Sequence, residues 1–198
     1  MSQLEELYSL DSTALAERLI ASVGTGTWPP VHTAVEWALQ RHAGQKRRDG
    51  SDFAAHPLRV ALILHELASQ THADVLCAGL LHDLLEDTDT SEDDIMEVFG
   101  TKVSDMVRSL TMQPVPEGKT KLQHNLAHFE SLRWEGRDVQ IVRSADRLDN
   151  LRTLSSIPEY ARRDEYVQET EEGLVPLTLA TNTALYHAIL KALEELKS

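Results

Sequence analysis

The sequence predicts an all-α protein. Apolar residues recur at helical intervals along most of the chain, and no stretch alternates apolar and polar residues between turn signals. Two segments, 58–67 and 75–81, are apolar on nearly every side, which marks helices inside a core. At 198 residues the chain fits one domain with a substantial core.

Residues 3–23 read as one or two amphipathic helices, broken near Asp11 and Ser12, where Ser12 can cap the second. The loop from Gly24 to Pro30 separates this part from the body. The expected organisation is therefore an N-terminal helical extension over 1–27 and a single domain over 28–198. Val31, Ala34, Val35, Ala38 and Leu39 are spaced as a helix running to about Gln45, and Lys46 to Asp52 is a polar, basic loop with a glycine turn. Pro57 suits the first turn of the next helix, and His56 stands at its mouth. The apolar run 75–81 continues into a helix ended by residues 87–91. Ser91 and Asp94 form a capping box for a helix over 92–99, which Gly100 stops. Residues 101–112 are helical, 113–118 a loop, and 119–133 helical again. Over 138–154, Ile141, Ala145, Leu148 and Leu151 make the apolar stripe, with Asp146, Asn150 and Thr153 on the far side. Pro158 breaks the pattern, and two helices follow at about 160–173 and 176–197. The last is rich enough in leucine that part of it is expected to pack against the N-terminal helices or another subunit, a possible homo-oligomer.

The formal net charge of −13 disfavours a nucleic-acid partner. No run approaches the roughly 20 apolar residues of a membrane span. The first residues lack the pattern of a signal peptide. The single cysteine, Cys77, can form no intramolecular disulfide and suits a core position. These features fit a reducing cytoplasm.

The chemistry centres on His82, Asp83, Glu86 and Asp87. On a continuous helix they share one arc, directly after a segment that belongs in the core. Buried charge needs neutralising, and a divalent metal ion is the simplest counter-charge. His56 and Asp146 are further candidate ligands from two other helices; alone, the first is equally a helix-capping imidazole and the second a solvated face. Two imidazoles and two carboxylates suit Mn²⁺, Fe²⁺ or Zn²⁺, with Mn²⁺ favoured by a water-completed octahedron. Glu86 and Asp87, one turn beyond, can deprotonate a bound water and protonate a leaving group, or are simply exposed acids. Lys46, Arg47 and Arg48 concentrate positive charge, and guanidinium groups bind phosphate bidentately and stack on purines. A solvated basic loop is the alternative. Lys119 and Lys121 form a weaker cluster. His32, His65, His72, His124, His128 and His187 lack supporting context.

Four motifs, in order, resemble the hydrolase domain of the RelA/SpoT family, a branch of the HD phosphohydrolases. They are His42-Ala-Gly-Gln45 with Arg47, then His56-Pro57, then Leu81 to Thr88, then Ala145 to Leu154. The resemblance, from about His32 to Pro176, implies an HD-type helical bundle. It implies one Mn²⁺ bound by His56, His82, Asp83 and Asp146, water activation by Glu86 and Asp87, and a nucleotide held by Arg47, Arg48 and Asn150. The reaction implied is removal of the 3′-pyrophosphate from guanosine tetra- or pentaphosphate by a stand-alone small alarmone hydrolase, similar to the metazoan SpoT homologues. Asp149 stands where the family usually has histidine, and Ser51 to Ala55 replaces a usual Glu-Pro-Tyr. These departures keep two alternatives open. One is a phosphohydrolase for an adenosine alarmone or a phosphorylated dinucleotide cofactor. The other is a non-catalytic nucleotide-binding module, which would be expected to have lost one of six positions that are all present here.

Overall fold

The computed structural model describes residues 3–24, 29–155, 157 and 160–197. Among them the regular structure is helical, and the only strand-like feature is an isolated bridge between Lys46 and Asp52. None of these helices is long and apolar enough to cross a membrane. The chain divides into two compact units, 1–111 and 112–198.

In the first unit, α1 (Gln3–Leu7) and α2 (Ser12–Val23) are separate helices. Asp11, and not Ser12, is the cap: its carboxylate accepts from the Ala14 N–H at 2.9 Å. α2 packs on α4 (Ala55–Leu62), and α3 (Val31–Arg41) packs on α5 (Ala73–Leu81). α3 ends four residues earlier than its spacing suggests. α4 and α5 pack against each other and are wholly buried apart from the first two residues of α5, Ala73 and Asp74, as their all-round apolar sequences require. After Leu62 the helix widens into a π turn, Ile63–Leu67, next to which α5 passes closely. A Cβ at Gly79 would meet Leu64 Cδ1 at 2.6 Å, so glycine sets how near α5 comes. α6 is one turn, Leu84–Asp87. α7 (Glu92–Phe99) carries the expected capping box, Ser91 with Asp94, and ends at Gly100, whose φ of 83° suits glycine. α8 (Thr101–Leu110) closes the unit against α5 and α7.

The second unit is built on α10 (Arg137–Leu154), with α9 (Lys121–Leu132) before it. Thr120 caps α9 through a box with Gln123. α11 (Arg163–Glu169) runs through a π turn, Thr170–Leu174, into α12 (Val175–Thr181) and then α13 (Thr183–Lys197). The expected helix over 176–197 is thus two. Asn182 is extended, and its side chain accepts from the Leu185 N–H at 3.0 Å, starting a new helix. Leu185, Ile189, Leu193 and Leu196 are buried, and α13 packs on α10 and α12. Leu179, 58% exposed, is the large apolar side chain of this region left uncovered. The expected break at Pro158 and part of the loop at 24–30 lie outside the described residues.

α10 departs most from its pattern. Its polar side is buried as well: Gln140, Arg143, Ser144, Asp146, Arg147, Asp149 and Thr153 are all enclosed. Such burial demands partners. Arg147 pairs with the fully buried Glu169 at 2.8 Å, Ser144 with Thr178 at 2.8 Å, and Gln140 donates to the Leu132 carbonyl at 2.9 Å.

Candidate metal centre

His56 lies in the first turn of α4, and His82 and Asp83 sit in the turn between α5 and α6. The helix that the sequence suggested would run through 75–88 is interrupted at this pair, although both residues keep right-handed helical backbone angles. The close α4–α5 packing brings the two imidazoles face to edge, with Nε2 atoms 3.2 Å apart. Asp83 completes the cluster: Oδ1 is 3.1 Å from His82 Nε2 and Oδ2 is 3.4 Å from His56 Nε2. His82 Nδ1 lies 2.8 Å from the Gly79 carbonyl, which can only accept, so Nδ1 carries a proton and Nε2 is the nitrogen that faces the cluster. That is the usual arrangement of a metal-bound histidine, its second nitrogen tied to a backbone carbonyl.

The donor set fits a divalent ion. All three ligand atoms lie within 4.8 Å of one another, and a single ion bonded at about 2.1 Å requires ligand atoms roughly 3 Å apart. The structure therefore brings together His56, His82 and Asp83 within the first unit.

α6 carries Glu86 and Asp87 immediately after the pair, with both N–H groups donating to the Asp83 carbonyl at 3.2 and 3.0 Å. Both side chains reach solvent. Partial burial first, and then the negative charge of Asp83, hold the Asp87 carboxyl above the ordinary carboxylate range.

The basic segment is a short ordered hairpin. Arg47 N–H donates to the Ser51 carbonyl at 2.9 Å, Gly50 N–H to the Arg47 carbonyl at 3.0 Å, and Gly50 supplies the left-handed turn at φ 85°. Lys46 is paired with Asp52 at 2.5 Å. Arg48 is exposed. The Arg47 guanidinium stands 5.9 Å from the centre of the Phe53 ring. Phe53 belongs to the segment that departs from the RelA/SpoT pattern.

Asp146 and Asn150 lie in the second unit, one turn apart on α10. Asn150 Nδ2 donates to Asp146 Oδ1 at 2.6 Å and Arg143 donates to Oδ2 at 2.8 Å. The carboxylate is 5% exposed, which removes the solvated-face reading. Arg143 carries no motif of its own, and its spacing of three residues from Asp146 is the one sequence signal of this pairing. His128 is a half-buried residue with a partner: its Nε2 accepts from Arg143 at 3.0 Å, and burial and Arg143 push its pKa down to about 3. Asp149 is fully buried, and the Thr153 hydroxyl donates to its backbone carbonyl. Cys77 is in the core, its thiol pushed up to about 12 by burial. Lys119 and Lys121 are exposed.

Comparison with known proteins extends the picture. The HD domain family matches residues 34–179. The chain is 33% identical over 169 residues to a mouse protein named guanosine-3′,5′-bis(diphosphate) 3′-pyrophosphohydrolase MESH1, covering 82% of this chain and 92% of that one. It is 36% identical over 147 residues to the guanosine-3′,5′-bis(diphosphate) 3′-pyrophosphohydrolase of Aquifex aeolicus, covering 74% of this chain. It spans about a fifth of the length of that bacterial protein, 21%. Among solved structures, a metazoan ortholog of SpoT described as hydrolysing ppGpp superposes with a TM-score of 0.74 at 28% identity, over 86% of this chain and 98% of that one. A Listeria monocytogenes protein superposes with a TM-score of 0.57 at 25% identity, over 72% of this chain and 94% of that one.

Proposed function

The chain belongs to the HD domain family, and from its likeness to the ppGpp hydrolases within it we propose that it removes the 3′-pyrophosphate of guanosine alarmones, giving GDP or GTP and pyrophosphate. The observation that carries the chemistry is the convergence of His56, His82 and Asp83, with the protonated nitrogen of His82 turned away to a carbonyl.

In this reading His56, His82 and Asp83 hold one divalent ion, and Asp146 is the fourth ligand, on the strength of the motif around it. Mn²⁺ is the proposed metal, with Fe²⁺ and Zn²⁺ the competing ions for such a donor set. An ion held there would lower the pKa of water and polarise a phosphoryl oxygen. Glu86 and Asp87 manage the protons: one is taken from water as its oxygen bonds to phosphorus, and one is delivered to the ribose 3′ oxygen as the P–O bond breaks. Arg47 and Arg48 hold the nucleotide, and Asn150 its ribose. Arg47→Ala should raise KM more than it lowers kcat, because it removes binding shared by the ground and transition states. Steady-state kinetics reads this directly, and a fall in kcat at constant KM would move Arg47 into the chemistry instead.

Three further parts complete the proposal. The N-terminal extension, assigned to residues 1–27, braces α4 through α2. The protein works in the cytoplasm. Copies associate through the C-terminal helices, at the uncovered Leu179; a monomer by light scattering at micromolar concentration would remove that assembly.

Hydrolysis of a panel of nucleotides by metal-loaded protein tests the substrate. A second reading, the adenosine counterpart or a 2′-phosphorylated dinucleotide, is favoured by one observation, Asp149 in place of the usual histidine.

A further inference from the structure

A helix of one turn is a poor platform for chemistry unless something outside holds it, because it makes too few internal hydrogen bonds to stand alone. α6 is such a helix, and it carries both Glu86 and Asp87. At its start both N–H groups are tied to the Asp83 carbonyl. At its end, Gln45 Nε2 donates to the main-chain carbonyl of Asp87 at 2.8 Å. That carbonyl is one that a helix cannot satisfy for itself.

Gln45 is itself aimed by His42, whose Nδ1 lies 2.8 Å from Gln45 Oε1. The Asp87 carbonyl only accepts, so Gln45 must turn its amino group to Asp87 and its oxygen to His42. His42 Nδ1 therefore carries the proton and donates, and Nε2 is left as a bare lone pair. Nε2 is buried and has no hydrogen-bond partner, in a residue 1% exposed. A buried unsatisfied nitrogen is destabilising. The ring's one polar contact is the bond that orients Gln45. Phe53 fixes the ring plane, stacking on it at 4.5 Å, and meets the ligand His56 edge-on at 6.1 Å. The same aromatic group thus touches a metal-ligand candidate and the residue that aims Gln45.

We propose that His42 and Gln45 are positioning residues that act in series, fixing the α6 carboxylates relative to His82 and Asp83 through the Asp87 main-chain carbonyl. The proposal rests on the reading of Glu86 and Asp87 as the proton-handling pair. It assigns His42 no contact with substrate or metal. The device needs an N–H at the position of Nδ1 and nothing at Nε2, so asparagine, whose amide nitrogen takes the place of Nδ1, can substitute for it.

The test compares Gln45→Ala, His42→Leu, His42→Asn and the double variant Gln45→Ala/His42→Leu, all loaded with Mn²⁺. Loss of either link should lower kcat about 10–100-fold, the usual effect of removing a group that orients an active residue. KM should stay within about threefold, as expected when ground-state binding is untouched. Metal content should be unchanged. The double variant should lose no more than the worse single one, and His42→Asn should recover most of what His42→Leu loses. Two readouts need no substrate. Nitrogen-15 spectra should show His42 protonated at Nδ1, and amide exchange at residues 86–88 should quicken in Gln45→Ala and His42→Leu. Additive losses, asparagine no better than leucine, or a proton on Nε2 would overturn the series arrangement. Failure of the substrate assignment shows separately, as absent turnover in the unaltered protein. The tautomer and exchange results then still decide whether His42 and Gln45 hold α6.

Discussion

Replacing His82 by alanine should strip the protein of its metal and take turnover to background. The substitution deletes the nitrogen that lies 3.2 Å from His56 Nε2 and 3.1 Å from Asp83, so the remaining pair no longer surrounds a common point. Without an ion to lower its pKa, water would be a far weaker source of the nucleophile. Elemental analysis of protein purified without chelator should find about one equivalent of metal in the unaltered chain and almost none in the variant, as single-site binding through a shared ligand set requires. The fold should survive, because the His82 side chain replaces no large apolar group. Full metal content with full turnover in His82→Ala would remove this site from consideration.

Glu86→Gln should behave differently. The side chain lies on α6, beyond the ligand turn, and reaches solvent. It is proposed to act on the proton of the attacking water, a role typically worth ~10²–10⁴-fold. The variant should lose about that much kcat while retaining its metal, since glutamine keeps the shape and removes the basicity. Elemental analysis beside steady-state kinetics separates the two. Loss of metal along with activity would place Glu86 in the ligand shell and leave Asp87 as the sole proton carrier.

The site was legible because its ingredients are local and chemically unusual. His82 and Asp83 follow seven residues with no polar side chain, and His56 opens a second apolar helix. Two buried helices ending in imidazoles and a carboxylate leave few places to put the charge, and the structure brings these three residues together. The capping box at Ser91 and Asp94 was equally plain, since it depends on residues three apart.

What escaped the sequence depends on tertiary packing. The interruption at His82 and Asp83 has no breaker residue, and both keep helical backbone angles; the His82 side chain instead reaches back to the Gly79 carbonyl. The π turns at 63–67 and 170–174 likewise carry no compositional mark. Along α10 the polar side reads as a solvated face, because a sequence shows Arg147 without showing that Glu169 will be buried against it at 2.8 Å. Asp146 is ambiguous in the sequence for the same reason, since nothing there shows Arg143 and Asn150 holding its carboxylate. The break at Asn182 did have a signal, since asparagine before threonine is a favourable helix start, but a run of leucines on both sides outweighed it.

The product released by Mn²⁺-loaded protein from guanosine 3′,5′-bis(diphosphate), followed beside the adenosine counterpart and a 2′-phosphorylated dinucleotide, decides the reaction and the substrate together. Pyrophosphate and GDP should appear in equal amounts from the guanosine alarmone, the release should be abolished by chelation, and the other two nucleotides should be turned over more slowly. Faster turnover of either competitor, or release of single phosphates from the guanosine alarmone, would contradict the proposed function.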